Sequence, residues 1–393
     1  MRFLHLADLH LGKVVNGFSM LEDQRFALEH ILQSAIEHQV QAVVLAGDLY
    51  DKSQPSAEAV GLFDWFLTSL ADVNLPCLAI AGNHDSAARV SYAGKLLEQR
   101  GIILSPIYDG TLRRWTFRDE YGAVNFWLLP FLKPIDVKHA FPENADEIGH
   151  DYTAAISRAL AMCPIDPHER NVLIAHQFVT YAAAEPERSD SELAIGGIDA
   201  VDGRVFDDFD YVALGHIHRP QQIGRPEMRY AGSLLKYSYS EARHEKSAVL
   251  VNLGPKGSVT FDFLPIVPKH DLRRIEGSVA DLTSETARAA ATAAGCSDED
   301  YIYAVLTDET PSLSDRERLR SAYPNLMGYE YRANRSHETD LKASAVPLAE
   351  APNPEELFAR FYRKMNATEL TNDQIRIVRE TMDAVASPSD KGE

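Results

Sequence analysis

The chain has 393 residues, 45% of them hydrophobic, with 39 lysines and arginines against 58 aspartates and glutamates and a formal net charge of −19. This length is too great for one ordinary core and indicates a large domain with smaller ones. The charge excludes a protein that holds nucleic acid by bulk electrostatic attraction. A nucleic-acid substrate stays open, because cation-binding carboxylates add to the negative count and a partner can supply basic surface.

The cysteines and the hydropathy bear on the cellular compartment. Cys77, Cys163 and Cys296 show no paired spacing, which argues against both a disulfide framework and a zinc knuckle. The sequence begins directly with a strand-like segment, and no apolar run is long enough to cross a bilayer. We therefore expect a cytoplasmic protein with no membrane association.

The first half of the chain alternates predicted strands with predicted helices, which is typical of an α/β fold. Apolar spacing predicts a helix over 20–38, for which Ser19 to Glu22 match a capping box, and a second helix after Ser56. The predicted strands are 2–7, 42–46, 77–81, 171–175 and 211–214.

Each of these five strands ends in metal-binding residue types. The residues are Asp8 and His10, Asp48, Asn83 with His84 and Asp85, His176, and His216 with His218. One such loop alone would be an ordinary polar turn, because Asn, Asp and Gly are common turn formers. Five independent turns would not be so uniform. Carboxyl ends of strands are where ligands bind in open α/β folds, so the pattern predicts one site.

The remainder predicts further strands and a smaller unit. Segments 125–131, 228–232, 248–253 and 258–264 favour a two-sheet sandwich with helices outside. Beyond it we expect strands at 271–276, 301–306 and 326–331 and helices at 281–294 and 314–322. The predicted division is a main domain 1–267, a small domain 268–341, a linker 342–352, a helix pair 353–386 and a disordered tail 387–393.

The chemistry of the strand-end residues indicates a binuclear metal site. Oxygen and imidazole ligands without thiolate suit Mn²⁺, Fe²⁺ or Zn²⁺, and seven ligands are too many for one ion that keeps an open position. Two ions are therefore implied, with Asp48 as the natural bridge. Residues at i and i+2 of an extended chain point to one side, so Asp8 with His10, and His216 with His218, are expected to converge.

The ordered motif set, Asp8-x-His10, Gly47-Asp48, Gly82 to Asp85, His176 and Gly215-His216-x-His218, resembles the calcineurin-like metallophosphoesterase signature. The longer forms ADLHLG, GDLYD, AGNHDS and GHIHRPQ, with the small domain and terminal helices, resemble the nuclease subunits of bacterial complexes with a coiled-coil ATPase. The resemblance implies a two-sheet metallophosphoesterase sandwich flanked by helices, with an α+β capping domain that contacts DNA and with C-terminal helices.

The resemblance also implies roles for the site residues. One metal would be held by Asp8, His10, Asp48 and His218, and the other by Asp48, Asn83, His176 and His216. Two divalent ions are expected, with Mn²⁺ as the favoured metal. His84 would not be a ligand but would assist departure of the leaving oxygen, with Asp85 orienting it.

Relatives often carry Trp where this chain has Leu9, and many carry His where it has Asp51. Neither position is expected to bind metal directly. The nine other histidines are expected to be structural or exposed. Isolated basic residues near the motifs are more often solvated than bound to phosphate; they are Lys13, Arg89, Arg219, Lys236 and Arg243.

The leading functional hypothesis is a metal-dependent DNA exonuclease and endonuclease that acts on double-stranded ends and hairpins in repair and recombination. The chain has no P-loop motif, so any ATP hydrolysis would belong to another chain. The resemblance implies that this partner is a coiled-coil ATPase and that the chain is a homodimer within a heterotetramer. The alternatives are a small-nucleotide phosphodiesterase or phosphatase of the same superfamily and a catalytically silent scaffold. The apolar stripes of the terminal helices, at 357–365 and 375–385, predict a docking surface for the partner.

Overall fold

A computed structural model describes residues 1–182, 184–192, 199–308, 310–332, 358–359, 362–363 and 369–386. The chain divides into two compact units, one formed by Met1–Arg274 with Ala294–Tyr303 and the other by Ile275–Ala293 with Ala304–Glu393. No helix of the described residues is both long and apolar enough to cross a membrane.

The described strands are short and occur in both units. They are β1 (Arg2–Leu6), β2 (Val14–Val15), β3 (Phe18–Ser19), β4 (Ala42–Ala46), β5 (Cys77–Ile80), β6 (Ile102–Leu104), β7 (Arg113–Asp119), β8 (Gly122–Leu129), β9 (Arg170–His176), β10 (Phe178–Thr180), β11 (Ala200–Asp202), β12 (Tyr211–Gly215), β13 (Gln221–Ile223), β14 (Arg225–Tyr230), β15 (Ser247–Leu253), β16 (Val259–Pro265), β17 (Leu272–Gly277), β18 (Tyr301–Leu306) and β19 (Leu326–Tyr331).

The described α-helices connect these strands or follow them. They are α1 (Leu21–Glu37), α2 (Ala57–Asp72), α3 (Ala87–Val90), α4 (Gly94–Leu97), α5 (Pro134–Ala140), α6 (Ala145–Ile148), α7 (Tyr152–Ala161), α8 (Val279–Leu282), α9 (Glu285–Ala293), α10 (Asp315–Ala322) and α11 (Asn372–Ala386).

Two six-stranded sheets form the first unit. The first has the order β16-β15-β1-β4-β5-β6 and the second the order β13-β14-β12-β9-β8-β7. Strands β1, β4, β5 and β6 are parallel, as are β14, β12, β9 and β8. Because parallel strands end at one edge of their sheet, β1, β4 and β5 deliver their polar ends to one edge of the first sheet, and β9 and β12 deliver theirs to one edge of the second.

The two sheets pack face to face over an apolar core, which confirms the predicted sandwich. Alternate residues of β8 show this layering, since Phe126 and Leu128 join the core between the sheets. Trp127 and Leu129 point to the other face and pack with Ile156 of α7. The sheet is thus covered on both faces, which explains the continuous apolar runs seen in its strands.

The two long helices of the first half lie where their apolar spacing predicts them. At the start of α2 the Ser56 side chain accepts a hydrogen bond from the backbone N–H of Ala59 at 3.2 Å. The predicted capping box at Ser19 to Glu22 is wrong. Ser19 is paired with Val14 in the β2–β3 hairpin, and the residue that caps α1 is Met20, which offers no side-chain acceptor.

A third sheet, of order β17-β18-β19, contains the three strands predicted after residue 270. In the second unit α10 packs on α8, where the Tyr323 hydroxyl donates to the Leu282 carbonyl oxygen at 2.8 Å. Helix α11 begins with a capping box, because the Thr371 N–H donates to Gln374 Oε1 and the Gln374 N–H to Thr371 Oγ1. The predicted linker 342–352, most of the helix predicted from 353 and the tail 387–393 lie outside the described residues.

Candidate metal centre

The segments that follow the strands are bound to one another through their backbones. The N–H of Asp8 donates to the Gly47 carbonyl oxygen at 3.0 Å, and that of His10 to the Asp48 carbonyl oxygen at 2.9 Å. From the other sheet the N–H of His216 donates to Asp8 Oδ1 at 3.0 Å. Three strand ends from both sheets are therefore fixed at one place.

Two glycines are needed for this close approach. A Cβ on Gly215 would lie 1.9 Å from the Ala46 carbonyl oxygen, and one on Gly82 would lie 2.2 Å from Asp48 Oδ1. Neither neighbour is the end of a flexible chain that can move away. Only glycine lets the β12 and β5 ends meet the β4 end.

The residue pairs Asp8 with His10 and His216 with His218 do converge, but not by extended backbone as predicted. Asp8 and His10 have φ of 50° and 45°, Asp48 has φ of 48° and His216 has φ of 102°. These left-handed conformations are unfavourable for residues other than glycine and cluster at functional sites. The backbone turns sharply at these four positions, and this turning helps to bring the side chains together.

One group of donors consists of Asp8, His10 and His218. One ligand atom from each lies within 4.8 Å of the others, and all three residues are buried. The Nε2 atoms of His10 and His218 lie 3.1 Å apart. Two imidazole nitrogens and a carboxylate that face one point match the donor set of a divalent transition metal.

The second group lies around Asn83, which the two other histidines face. Its Oδ1 atom lies 3.0 Å from His176 Nε2 and 2.9 Å from His216 Nδ1. Asp48 stands between the groups, with Oδ2 3.3 Å from His176 Nε2 and 3.6 Å from His10 Nε2. The structure thus brings all seven predicted ligands together, and they fit two ions with Asp48 between them.

The outer ring nitrogens are bound, which directs the inner ones into the site. His176 Nδ1 lies 2.8 Å from the Ala46 carbonyl oxygen, and His218 Nδ1 lies 3.1 Å from Glu241 Oε1. A carbonyl or carboxylate accepts a hydrogen bond, so Nδ1 donates to it and Nε2 is the nitrogen that faces the other ligands of the site.

His84 is half-buried at the mouth of the site. Its N–H donates to Asp48 Oδ1 at 2.8 Å, and its Nδ1 lies 2.8 Å from the Asp51 carbonyl oxygen. One of its ring nitrogens also lies within 4.8 Å of donors of His10 and Asp48. Of the two predicted catalytic residues, His84 therefore reaches the metal ligands directly.

Asp85 was expected to orient the His84 ring, but its carboxylate binds backbone N–H groups instead. Its carboxylate accepts the backbone N–H groups of Leu49, Tyr50 and Gly82 at 2.9–3.0 Å. The hydrogen-bonding partner of the His84 ring is the Asp51 carbonyl, not Asp85. Asp85 fixes the loops that carry Asp48 and Asn83, and it acts on His84 only through the backbone.

Burial disfavours the charged forms of the carboxylates and imidazoles in this cluster. Burial raises the pKa of Asp8 to about 7 and lowers the pKa of His216 to about 3. Burial would also raise the pKa of Asp48, but the adjacent His176 imidazolium outweighs it and holds that pKa well below its usual range. A desolvated set of carboxylates and imidazoles of this kind is stabilised when divalent cations replace its protons.

Four buried residues that support the ligands escaped the sequence analysis. Gln24 Nε2 donates to the carbonyl oxygen of His10 at 2.8 Å and to the Tyr237 hydroxyl at 2.9 Å. Lys246 Nζ donates to the His218 carbonyl oxygen at 2.8 Å and to Glu241 Oε2 at 2.7 Å. The sequence could have pointed to Gln24, because it is a polar residue on the apolar face of α1.

The basic residues near the motifs are mostly paired. Lys13 Nζ lies 2.7 Å from Asp51 Oδ1, and Lys236 Nζ lies 2.7 Å from Asp271 Oδ1. Leu9 is buried, so this departure from the relatives lies in the core. Among the described residues, none of the histidines outside the strand ends belongs to a group that could hold a metal.

Comparison with known proteins identifies the class to which this fold and site belong. Residues 1–220 match the calcineurin-like phosphoesterase family, and residues 268–366 match a family described as the type 5 capsule protein repressor C-terminal domain. The chain belongs to the calcineurin-like phosphoesterase family and is a metal-dependent phosphoesterase.

One curated relative and two solved structures match this chain over most of their own length. The D subunit of the nuclease SbcCD from Staphylococcus epidermidis is 30% identical over 382 residues, which cover 95% of this chain and 96% of that protein. A solved dimetal phosphatase from Danio rerio is 13% identical with a TM-score of 0.43, covering 68% of this chain and 96% of its own. The solved protein TT1561 of Thermus thermophilus is 11% identical with a TM-score of 0.37, covering 67% and 98%.

Proposed function

We propose that the protein is the nuclease subunit of an SbcCD-type complex, a DNA exonuclease and endonuclease for double-stranded ends and hairpins in repair and recombination. The observation that carries this proposal is the convergence of Asp48 with the six other predicted metal ligands, in a chain that is similar to such a nuclease subunit from end to end. The same proposal divides the chain into a nuclease domain 1–267, a small capping domain 268–341, a linker 342–352, a helix pair 353–386 and a tail 387–393.

The proposed cofactors are two Mn²⁺ ions. Asp8, His10, Asp48 and His218 would hold one, and Asp48, Asn83, His176 and His216 the other. When bound, such an ion pair acidifies a shared water and neutralises charge on the phosphoryl oxygens. The mixture of carboxylate, amide and imidazole donors without sulfur supports this assignment.

His84 is the proposed proton donor to the leaving oxygen. Its Nδ1 must carry a proton, because the Asp51 carbonyl 2.8 Å away only accepts hydrogen bonds. Donation from Nε2 then requires the imidazolium form, which regains its proton from solvent after each turnover. The Asp51 carbonyl holds the ring at a fixed angle, so that its other edge faces the cleft lined by Lys13, Lys52 and Asn83.

The proposed partner is an SbcC-type coiled-coil ATPase, with two copies of each chain in the complex. Helix α11 supports this part of the proposal, since Ile375, the first residue of its predicted apolar stripe, is 39% exposed. Amphipathic helices with such anchors bind in apolar grooves. A cytoplasmic location, supported by three free cysteines, belongs to the same proposal.

The decisive experiment measures cleavage of linear duplex DNA, hairpin DNA and bis-p-nitrophenyl phosphate in Mn²⁺, with and without the ATPase. A nuclease subunit cleaves both DNA substrates and is stimulated by the partner with ATP. Cleavage of the small diester without cleavage of DNA would instead indicate a small-nucleotide phosphodiesterase. The absence of any hydrolysis would indicate a scaffold.

A further inference from the structure

A cleft of about 1050 Å³ lies on the first compact unit, and all its lining residues belong to that unit. Seven lysine and arginine side chains line it against three carboxylates. Four of these cations besides Arg219 are paired with carboxylates of the described residues, so the cations left to meet a ligand are Arg219, Arg229 and Arg243. Such a concentration of positive charge indicates an anionic ligand.

The cleft adjoins the metal centre. Arg219, which lines it, directly follows the predicted ligand His218 in the chain. Lys246 also lines the cleft, and its Nζ donates to the His218 carbonyl oxygen at 2.8 Å. A ligand in the cleft is therefore separated from the metal site by one backbone segment.

Two of the cations, Arg243 and Arg219, are accessible to a phosphate. Lys236 is held by Asp271 at 2.7 Å, but Arg243 is exposed and forms no ion pair with any residue that the structure describes. Arg219 pairs only with Glu187, and both side chains are open to solvent. Exposed pairs of this kind contribute little and exchange readily for another anion.

An exposed aromatic ring lies in the same cleft. Phe263 on β16, the edge strand of the first sheet, is 48% exposed and lines the cleft. The guanidinium carbon of Arg229 lies 4.7 Å from the centre of this ring. Arg229 is buried, and its Nε has no hydrogen-bond partner among the described residues. A half-exposed ring packed on a cation offers a stacking surface for a nucleic-acid base.

We infer that this cleft binds a single strand of nucleic acid, with a base stacked on Phe263 and phosphates held by Arg243 and Arg219. Single strands fit better than duplex, because the bases of a duplex are stacked on each other and are not free to stack on a side chain. The inference rests on the proposed nuclease function and adds a strand-binding site outside the metal centre.

The test is fluorescence anisotropy of the full-length, Mn²⁺-loaded chain with a fluorescein-labelled decathymidylate whose phosphorothioate linkages resist cleavage. Phe263→Ala should weaken binding about 5- to 100-fold, the range expected for loss of one stacked base. Arg243→Ala should weaken binding and reduce the slope of log affinity against log salt by about 0.7, as one lost phosphate contact requires.

Matched controls come from β7, the edge strand at the other end of the second sheet from β13. Arg118 on β7 is exposed, and Tyr121 in the following turn is 53% exposed. Arg118→Ala and Tyr121→Ala remove the same charge and a similar ring there, and they should leave the affinity unchanged. If they weaken binding as much as the cleft variants do, the cleft has no special role and the inference is wrong.

Three other results would overturn the inference. They are wild-type affinity in both cleft variants, equal affinity for a decamer duplex, and displacement of the oligonucleotide by inorganic phosphate at equal phosphate concentration. Hydrolysis of bis-p-nitrophenyl phosphate by the wild-type chain is measured in parallel. If the wild-type chain hydrolyses the diester and the cleft variants bind the oligonucleotide as the wild type does, only the inference about the cleft is wrong. If the wild-type chain hydrolyses nothing, the nuclease function is wrong, and the binding result still decides whether the cleft binds a strand.

Discussion

Glu241 Oε1 lies 3.1 Å from Nδ1 of His218, and Oε2 of the same buried carboxylate accepts a hydrogen bond from Lys246 Nζ at 2.7 Å. A carboxylate on the outer nitrogen fixes the tautomer of a ligand histidine and directs its other nitrogen to the metal. Glu241→Gln should therefore lower the affinity for one of the two ions about 10- to 100-fold.

Metal content per chain after dialysis, measured by plasma mass spectrometry, checks this expectation. The exposed Glu37 on α1 gives a control, since Glu37→Gln removes the same charge far from any ligand. If Glu241→Gln retains two ions with wild-type affinity, the Glu241 carboxylate does not support metal binding.

Asp48→Asn should abolish cleavage and leave the fold intact. The side chain lies between the two donor groups, and an amide lacks the charge that two adjacent cations need. Activity on bis-p-nitrophenyl phosphate, metal content and circular dichroism are measured on one preparation. Near-normal hydrolysis with two bound ions would mean that Asp48 does not bridge them.

His84→Gln should lower turnover about 10²- to 10⁴-fold without loss of metal, because a positioned proton donor contributes that much. The exposed His168 provides the matched substitution, His168→Gln, which should change neither quantity. Loss of an ion in step with activity would make His84 a ligand, a role that its proximity to His10 and Asp48 also allows.

Asp119→Ala should lower the free energy of unfolding by about 3–5 kcal/mol at pH 7, the usual cost of leaving a buried partner charge unpaired. Arg170 is 2% exposed and Asp119 7% exposed, and the Arg170 guanidinium donates to both Asp119 oxygens. Those hydrogen bonds hold the pKa of Asp119 below its usual range.

The direction of this shift also predicts a pH dependence. Because the folded pKa lies below the unfolded value of about 3.9, the stabilisation is complete above that value and is lost as the pH falls. Urea denaturation at pH 7 and at pH 3 should therefore show a smaller difference between wild type and Asp119→Ala at the lower pH. Asp72→Ala, at the exposed end of α2, should show neither effect.

Removal of residues 353–393 should abolish co-purification with the ATPase and ATP-stimulated DNA cleavage, while hydrolysis of small diesters is kept. The exposed Ile375 of the apolar stripe is lost in this truncation, and Ile375→Glu in the full chain tests the same stripe with a single change. Unchanged affinity of both proteins for the partner would assign the helix to the protein's own core.

The strands and the polar clusters that follow them could be predicted from the sequence because both leave local patterns. The buried strand β4 has the bounds that its apolar run predicts, and the polar clusters follow directly. Long-range contacts leave no such pattern. Nothing local joins Glu241 to His218 or the Asp51 carbonyl to His84, and Ser19 was misplaced because its pairing with Val14 depends on a hairpin.

The bond from the His216 N–H to Asp8 joins residues 208 positions apart, and β1 pairs with β15, whose residues are Ser247–Leu253. During translation the first ligand leaves the ribosome long before the last one exists. Contacts of such separation form late, because the closure of a long loop must precede them. The newly made chain therefore cannot hold both ions, or cut a phosphodiester bond, until more than half of it has been synthesised.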